Sequence, residues 1–145
     1  MDTATRHLRF LLVEDDDDHA DLLLHHLRSQ KVIGTIDRAR DGVEALASLK
    51  QQEPYAARPR PDAVVLDLNL PRMNGHELLA AVKSDPSLRT IPVIVLTTSD
   101  AESDRVRAYA HHANSYLVKP VEFAQFRQLA EDLTFYWGVW NRPGR

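Results

Sequence analysis

Cysteine is absent from the 145 residues. That excludes disulfides and thiolate metal sites, and it fits a reducing compartment. Glycine is scarce, at five residues. Neither GxGxxG nor GxxxxGKS/T occurs, so a glycine-lined cradle for nucleotide phosphates is not expected. No apolar run approaches the length of a membrane span. The opening segment MDTATRHLRF is too polar for a secretion signal. Charge of one sign is not in excess: 18 basic residues stand against 21 acidic ones, a net of −3. Arg6, Arg9, Arg58 and Arg60 make no basic stripe. Direct nucleic-acid binding and membrane association are therefore not expected. The default is a soluble cytoplasmic protein.

Hydrophobic residues make up 43% of the chain, enough for one sizeable core and one domain. Short apolar runs at Leu8–Val13, Ala63–Leu68, Pro92–Leu96 and Tyr116–Val118, with a weaker one near Thr35–Ala39, read as strands buried on both faces. Helical periodicity lies between them, at roughly 18–30, 42–52, 74–84, 101–112 and 121–137. Strand–helix alternation repeated five times implies a doubly wound α/β fold. Gln51–Pro61, with three prolines, reads as a long irregular loop.

In such sheets ligands bind at the carboxyl ends of the strands. Those ends carry Glu14-Asp15-Asp16-Asp17-Asp18, Asp67-Leu68-Asn69, Thr97-Thr98-Ser99 and Lys119-Pro120. Asp17 and Asp18 are expected to serve the N-terminus of the next helix. Glu14 and Asp15, with Asp67, offer the oxygen donors that Mg²⁺ or Mn²⁺ takes. Two unit charges about 4 Å apart repel by roughly 4 kcal/mol at an effective dielectric near 20. A bound cation and Lys119 would offset this, or one acid would stay protonated. Asp67 is the expected nucleophile toward phosphorus, giving an acyl phosphate. Transfer through a loose transition state needs positioning and charge neutralisation, from the cation, Lys119 and the Thr97 hydroxyl. A cis Lys119–Pro120 bond would suit the bend there.

The segments LLVEDD, VVLDLNLPRMNGHELL, IPVIVLTTS and SYLVKP resemble, in order, the four signature blocks of response-regulator receiver domains. The resemblance covers Leu8 to about Leu133. It implies a five-stranded parallel sheet of order 2-1-3-4-5 flanked by five helices, with the receiver at 8–134, a flexible segment at 1–7 and an extension of the last helix at 135–145. It implies phosphorylation of Asp67 by a sensor histidine kinase, with self-phosphorylation and self-dephosphorylation the only catalysis. Glu14, Asp15, Asp67 and the backbone carbonyl of Asn69 would hold Mg²⁺ or Mn²⁺. Thr97 and Lys119 would stabilise the phosphoryl group, and Thr97 and Tyr116 would form the conformational switch. VEDDDDHADLLLHHLR and VLTTSDAESD look most like the small receivers serving bacterial and cyanobacterial phytochromes, which makes a bacteriophytochrome the expected kinase. The sequence departs from the family in lacking glycine before the fifth strand, where His112 or Asn114 would have to take φ > 0.

Phe126, Leu129, Leu133, Trp137 and Trp140 follow helical spacing and are expected to face the core. Phe135, Tyr136 and Val139 lie off that stripe, and with Trp140 they form the expected contact of a homodimer. The adjacent pairs His25-His26 and His111-His112 lack metal-ligand spacing and read as surface residues. Two rival functions are a receiver-like scaffold that is never phosphorylated and a Mg²⁺-dependent aspartyl-phosphate phosphohydrolase. The intact acid, hydroxyl and lysine set speaks against the first. Asn69, where the second would place a general acid, speaks against that one.

Overall fold

A computed structural model describes residues 7–141. Strands and helices alternate: β1 (Leu8–Val13), α1 (Asp17–Arg28), β2 (Ile33–Ala39), α2 (Gly42–Leu49), β3 (Ala63–Leu66), α3 (Gly75–Ser84), β4 (Val93–Thr97), α4 (Glu102–Ala110), β5 (Ser115–Val118) and α5 (Gln125–Phe135). A π-helical turn, Tyr136–Trp140, continues α5. The five strands form one parallel sheet of order β2-β1-β3-β4-β5.

The sheet is buried from both sides because its inner strands are apolar at nearly every position, Arg9 of β1 and Thr97 of β4 excepted. Leu11, Val13, Val64, Leu66, Val93 and Val95 enter one core with Leu78, Leu79 and Val82 of α3. The alternate residues Phe10, Leu12, Val65, Ile94 and Leu96 enter the other, with Leu23 and Leu27 of α1 and Phe126, Leu133 and Trp137. Successive side chains of a strand point to opposite faces, so one continuous run serves two cores.

Caps set where the helices begin. The Asp16 side chain accepts from His19 N, Asp41 accepts from Glu44 N, and Asn74 forms a capping box with Glu77. The cap of α1 is thus Asp16. Asp17 and Asp18 lie in the first turn, where Asp17 pairs with Arg38 and Arg40. Gly75 is a packing necessity: a Cβ there would lie 2.5 Å from the Asp67 carbonyl oxygen and 2.5 Å from Leu68 Cα. The start of α3 can therefore press against the backbone that carries Asp67.

Other sequence expectations are corrected. Lys119–Pro120 is trans, as most X–Pro bonds are, and the cis bond found among the described residues is Glu53–Pro54. Helix α5 starts at Gln125, after a turn, rather than at 121. Trp140 does not face the core and is 69% exposed, whereas Trp137 is 8% exposed. The π turn adds a residue per turn and rotates Trp140 off the buried stripe. Before β5, His112 takes the positive φ of 68°. Asn114 is freed to accept from Val93 N through its side chain, 2.9 Å away.

Candidate functional site

The chain leaves each strand at the same edge of the sheet, and the first residue out is still tied to its neighbour. Glu14 N donates to Ala39 O at 3.0 Å, Asp67 N to Val13 O at 3.0 Å, and Lys119 N to Thr97 O at 2.7 Å. Glu14, Asp67 and Lys119 are thereby aligned by extensions of the sheet's own ladders. All three are buried, as is Thr97 at the end of β4.

Lys119 Nζ lies 2.6 Å from Glu14 Oε1 and 2.9 Å from Asp67 Oδ2. One ammonium bridges two buried carboxylates that would otherwise repel each other. The Glu14 carboxyl is pushed up to about 7. Burial is the main cause, the negative charge of Asp67 adds to it, and Lys119 opposes both. Asp67 Oδ1 also accepts from Asn69 N at 3.3 Å. A third contact of the ammonium, 2.9 Å to His19 Nδ1, had no counterpart in the sequence reading. His19, four residues after Asp15, lies in the quoted segment VEDDDDHADLLLHHLR, but the sequence reading gave it no role.

Asp15 and Asn69 are exposed at the rim of the cluster. Among the described residues no three His, Asp or Glu side chains are grouped so as to hold a metal ion. The expected three-acid set is therefore not drawn tightly together, because Lys119 stands between two of its members. Arg38, which the sequence reading passed over, supports the β1–α1 loop. Its guanidinium donates to Glu14 O at 2.9 and 3.1 Å.

Tyr116 is half-buried and packs on the core beneath α3 and α4. Its hydroxyl donates to Ser99 O at 3.0 Å. Ser99 Oγ in turn donates to Asp104 Oδ2 at 2.6 Å, and Asp104 Oδ1 lies 3.1 Å from His76 Nε2. This chain runs from β5 through the β4–α4 loop and α4 to α3. Burial raises the Tyr116 hydroxyl above its ordinary value, against the lowering effect of the Ser99 bond. At the C-terminus Phe135, Tyr136, Val139 and Trp140 are all exposed, with Phe135 and Trp140 in edge-to-face contact. No described helix is long and apolar enough to cross a membrane.

Comparison with known proteins agrees with this fold. The family described as "Response regulator receiver domain" matches residues 10–131. The "Probable methanogenesis regulatory protein FilR2" of Methanothrix harundinacea is 44% identical over 135 residues, covering 92% of this chain and 86% of that protein. Response regulator Rcp1 of Synechocystis is 39% identical over 127 residues, covering 88% of this chain and 86% of that one. The Mn²⁺-bound crystal structure of Rcp1 superposes with a TM-score of 0.89. The phosphorylated cyanobacterial phytochrome response regulator RcpA superposes with a TM-score of 0.91 at 38% identity, over 96% of this chain and 99% of that one. A parallel sheet of order 2-1-3-4-5 whose carboxyl edge gathers Glu14, Asp67, Thr97 and Lys119, on a chain matched by the family over 122 of its residues, from 10 to 131, places the protein among the response-regulator receiver domains.

Proposed function

We propose that Asp67 accepts a phosphoryl group from a phosphohistidine on a sensor kinase. The P–N bond breaks, a P–O bond to the Asp67 carboxylate forms, and the departing imidazole takes up a proton. The observation that carries this reading is the buried Lys119 ammonium, 2.9 Å from Asp67 Oδ2. It places a fixed positive charge where the transferring group would gather negative charge. Thr97 sits at the end of the neighbouring strand, with its hydroxyl as a further donor.

The donor set suits a hard divalent cation. Two buried carboxylates, the exposed Asp15 and the carbonyl of exposed Asn69 are all oxygen ligands of the kind Mg²⁺ and Mn²⁺ take, with water completing the shell. The relative Rcp1 has been crystallised with Mn²⁺. When bound, the cation would supply positive charge in addition to that of Lys119, offsetting the charge of the acids and of the transferring group. The chain's own residues orient Asp67, exclude bulk water and hold the ammonium in place.

The signal would leave through Thr97 and Tyr116. A dianion on Asp67 attracts the Thr97 hydroxyl, and Tyr116 follows by repacking against the β4–α4 loop, a shift between two packings of similar energy. The likeness to Rcp1 and RcpA supports a phytochrome-type kinase as the donor, with action in the cytoplasm. The exposed surface of Phe135, Tyr136, Val139 and Trp140 supports a homodimer built on the end of α5.

The reading is tested by incubating the protein with Mg²⁺ and phosphoramidate. One base-labile phosphoryl group per chain is expected, absent in Asp67→Asn. No label would leave a scaffold, and sustained turnover of many equivalents would indicate a phosphohydrolase. A purified phytochrome kinase and an unrelated histidine kinase then separate donors: faster labelling by the phytochrome kinase is expected, and equal rates would remove that partner.

A further inference from the structure

A lysine ammonium carries three protons and no acceptor. In Lys119 two of these face the carboxylates of Glu14 and Asp67. The third faces His19 Nδ1 at 2.9 Å. The Lys119 side chain is 1% exposed, so water is not the partner of its ammonium. Lys119 can only donate, and Nδ1 must therefore accept, which puts the ring proton on Nε2.

The imidazole is itself held in place. It stacks on Phe126 with ring centroids 5.6 Å apart and an interplanar angle of 29°. It meets the edge of Phe123 at 6.4 Å. Phe126 is fully buried in the first turn of α5. Asp16 Oδ2 lies 3.8 Å from Nδ1, too far for a hydrogen bond. The ring is thus a rigid, neutral acceptor anchored to the helix that follows Lys119.

Neutrality matters here. A lysine on a flexible four-carbon stem is a mobile point charge. A carboxylate in place of His19 would add a third negative charge and compete with Asp67 for the ammonium. An apolar side chain would leave one buried proton without a partner. We infer that His19 is a positioning residue for phosphoryl transfer. It fixes one corner of the Lys119 ammonium, so that the protons facing Glu14 and Asp67 can turn to the incoming phosphoryl oxygens without the lysine leaving the site. This rests on the proposed role of Asp67 and Lys119.

Three proteins separate this role from simple packing: wild type, His19→Leu and His19→Asn. Leucine keeps an apolar contact with Phe126 but has no acceptor. Asparagine can place an oxygen near the position of Nδ1. With Mg²⁺ and saturating phosphoramidate, the initial rate of Asp67 labelling is expected to fall about tenfold in His19→Leu, the scale of one charge-assisted hydrogen bond. In His19→Asn it is expected to return to within about twofold, because the acceptor is restored. Wild-type rates in the leucine variant, or equally slow rates in both variants, would overturn the inference.

A second measurement needs neither variant. The Lys119 ammonium protons should exchange with water far more slowly than those of Lys31 and Lys50 in nitrogen-15 NMR spectra. Exchange as fast as at those lysines would refute a fully engaged ammonium. A wild-type protein that takes no label but shows the slow ammonium signal would instead reject the phosphoacceptor reading and leave the His19 contact standing.

Discussion

Lys119 Nζ approaches Glu14 Oε1 to 2.6 Å, closer than the 2.9 Å that separates it from Asp67 Oδ2. The lysine is therefore shared, and the chemically quieter acid has the shorter contact. Removing one member of a buried ion cluster is costly because the partners keep their charge without compensation. Lys119→Met is expected to destabilise the fold by about 3 kcal/mol in urea unfolding at pH 8. Adding Glu14→Gln should recover much of that loss, since the remaining carboxylate then has no like charge beside it. Equal stability of the single and double variants would contradict the shared-lysine arrangement. Labelling of Asp67 should fall about 100-fold in Lys119→Met, the range seen when a transition-state donor is removed.

Glu14→Gln alone tests cation binding. A ligand that binds the native state raises stability by RT ln(1 + [L]/Kd). Mg²⁺ at about 100 times its Kd should stabilise the wild type by about 2.7 kcal/mol. The Gln variant should show little such gain in a thermal melt with and without Mg²⁺. An undiminished gain would move the cation away from Glu14.

Gly75 is set against the backbone of Asp67, where an added Cβ would lie 2.5 Å from its carbonyl oxygen. The clash is with backbone, which cannot swing aside as a side chain does. Gly75→Ala should cost about 2 kcal/mol in urea unfolding, within the range for overpacked sites. It should also slow Asp67 labelling, by displacing the β3–α3 loop. Unaltered stability would show that α3 can shift freely.

The Asp104 carboxyl is held below its ordinary value of 3.8, first by the Ser99 hydroxyl and then by His76. A depressed acid binds fewer protons in the native state than in the unfolded one across that interval. Its contribution to stability is therefore complete above pH 3.8 and is lost as pH falls through the lower folded value. Asp104→Asn should be less stable than wild type at pH 6, and the gap should narrow steadily toward pH 2. Denaturant midpoints across that range supply the test; a gap independent of pH would mean that Asp104 acts through packing alone.

Trp137 and Trp140 make opposite predictions from within one π-helical turn. Trp137 is 8% exposed and Trp140 69%. Trp137→Ala should cost about 3–5 kcal/mol as a core truncation. Phe135→Glu combined with Trp140→Glu should leave monomer stability nearly unaltered; sedimentation is expected to give the proposed dimer for the wild type and a monomer for the double variant at the same concentration. A persistent dimer would place the contact on another face.

The strands were legible in the chain because parallel strands buried on both faces are largely apolar, as Leu8–Val13 (Arg9 apart), Ala63–Leu66 and Val93–Leu96 are, whereas their order in the sheet came from the resemblance to receiver domains. The acids, hydroxyl and lysine were legible because each follows directly on a strand, and strand ends converge at one edge. The start of α1 was misread by one residue: several aspartates in a row are chemically equivalent caps, and only the backbone geometry selects Asp16. Trp140 was misplaced because a period of 3.6 residues was carried into a turn that winds more widely.

Local sequence thus determined the strands, the helices and the kinds of group delivered to the sheet edge, since these depend on periodicity and on neighbours in the chain. Only the tertiary structure decided which of those groups meet. The Lys119 ammonium contacts His19 across 100 positions of sequence and Asp67 across 52. A contact between side chains so far apart in the chain is set by how α1, β3 and β5 pack together, and no local pattern records it.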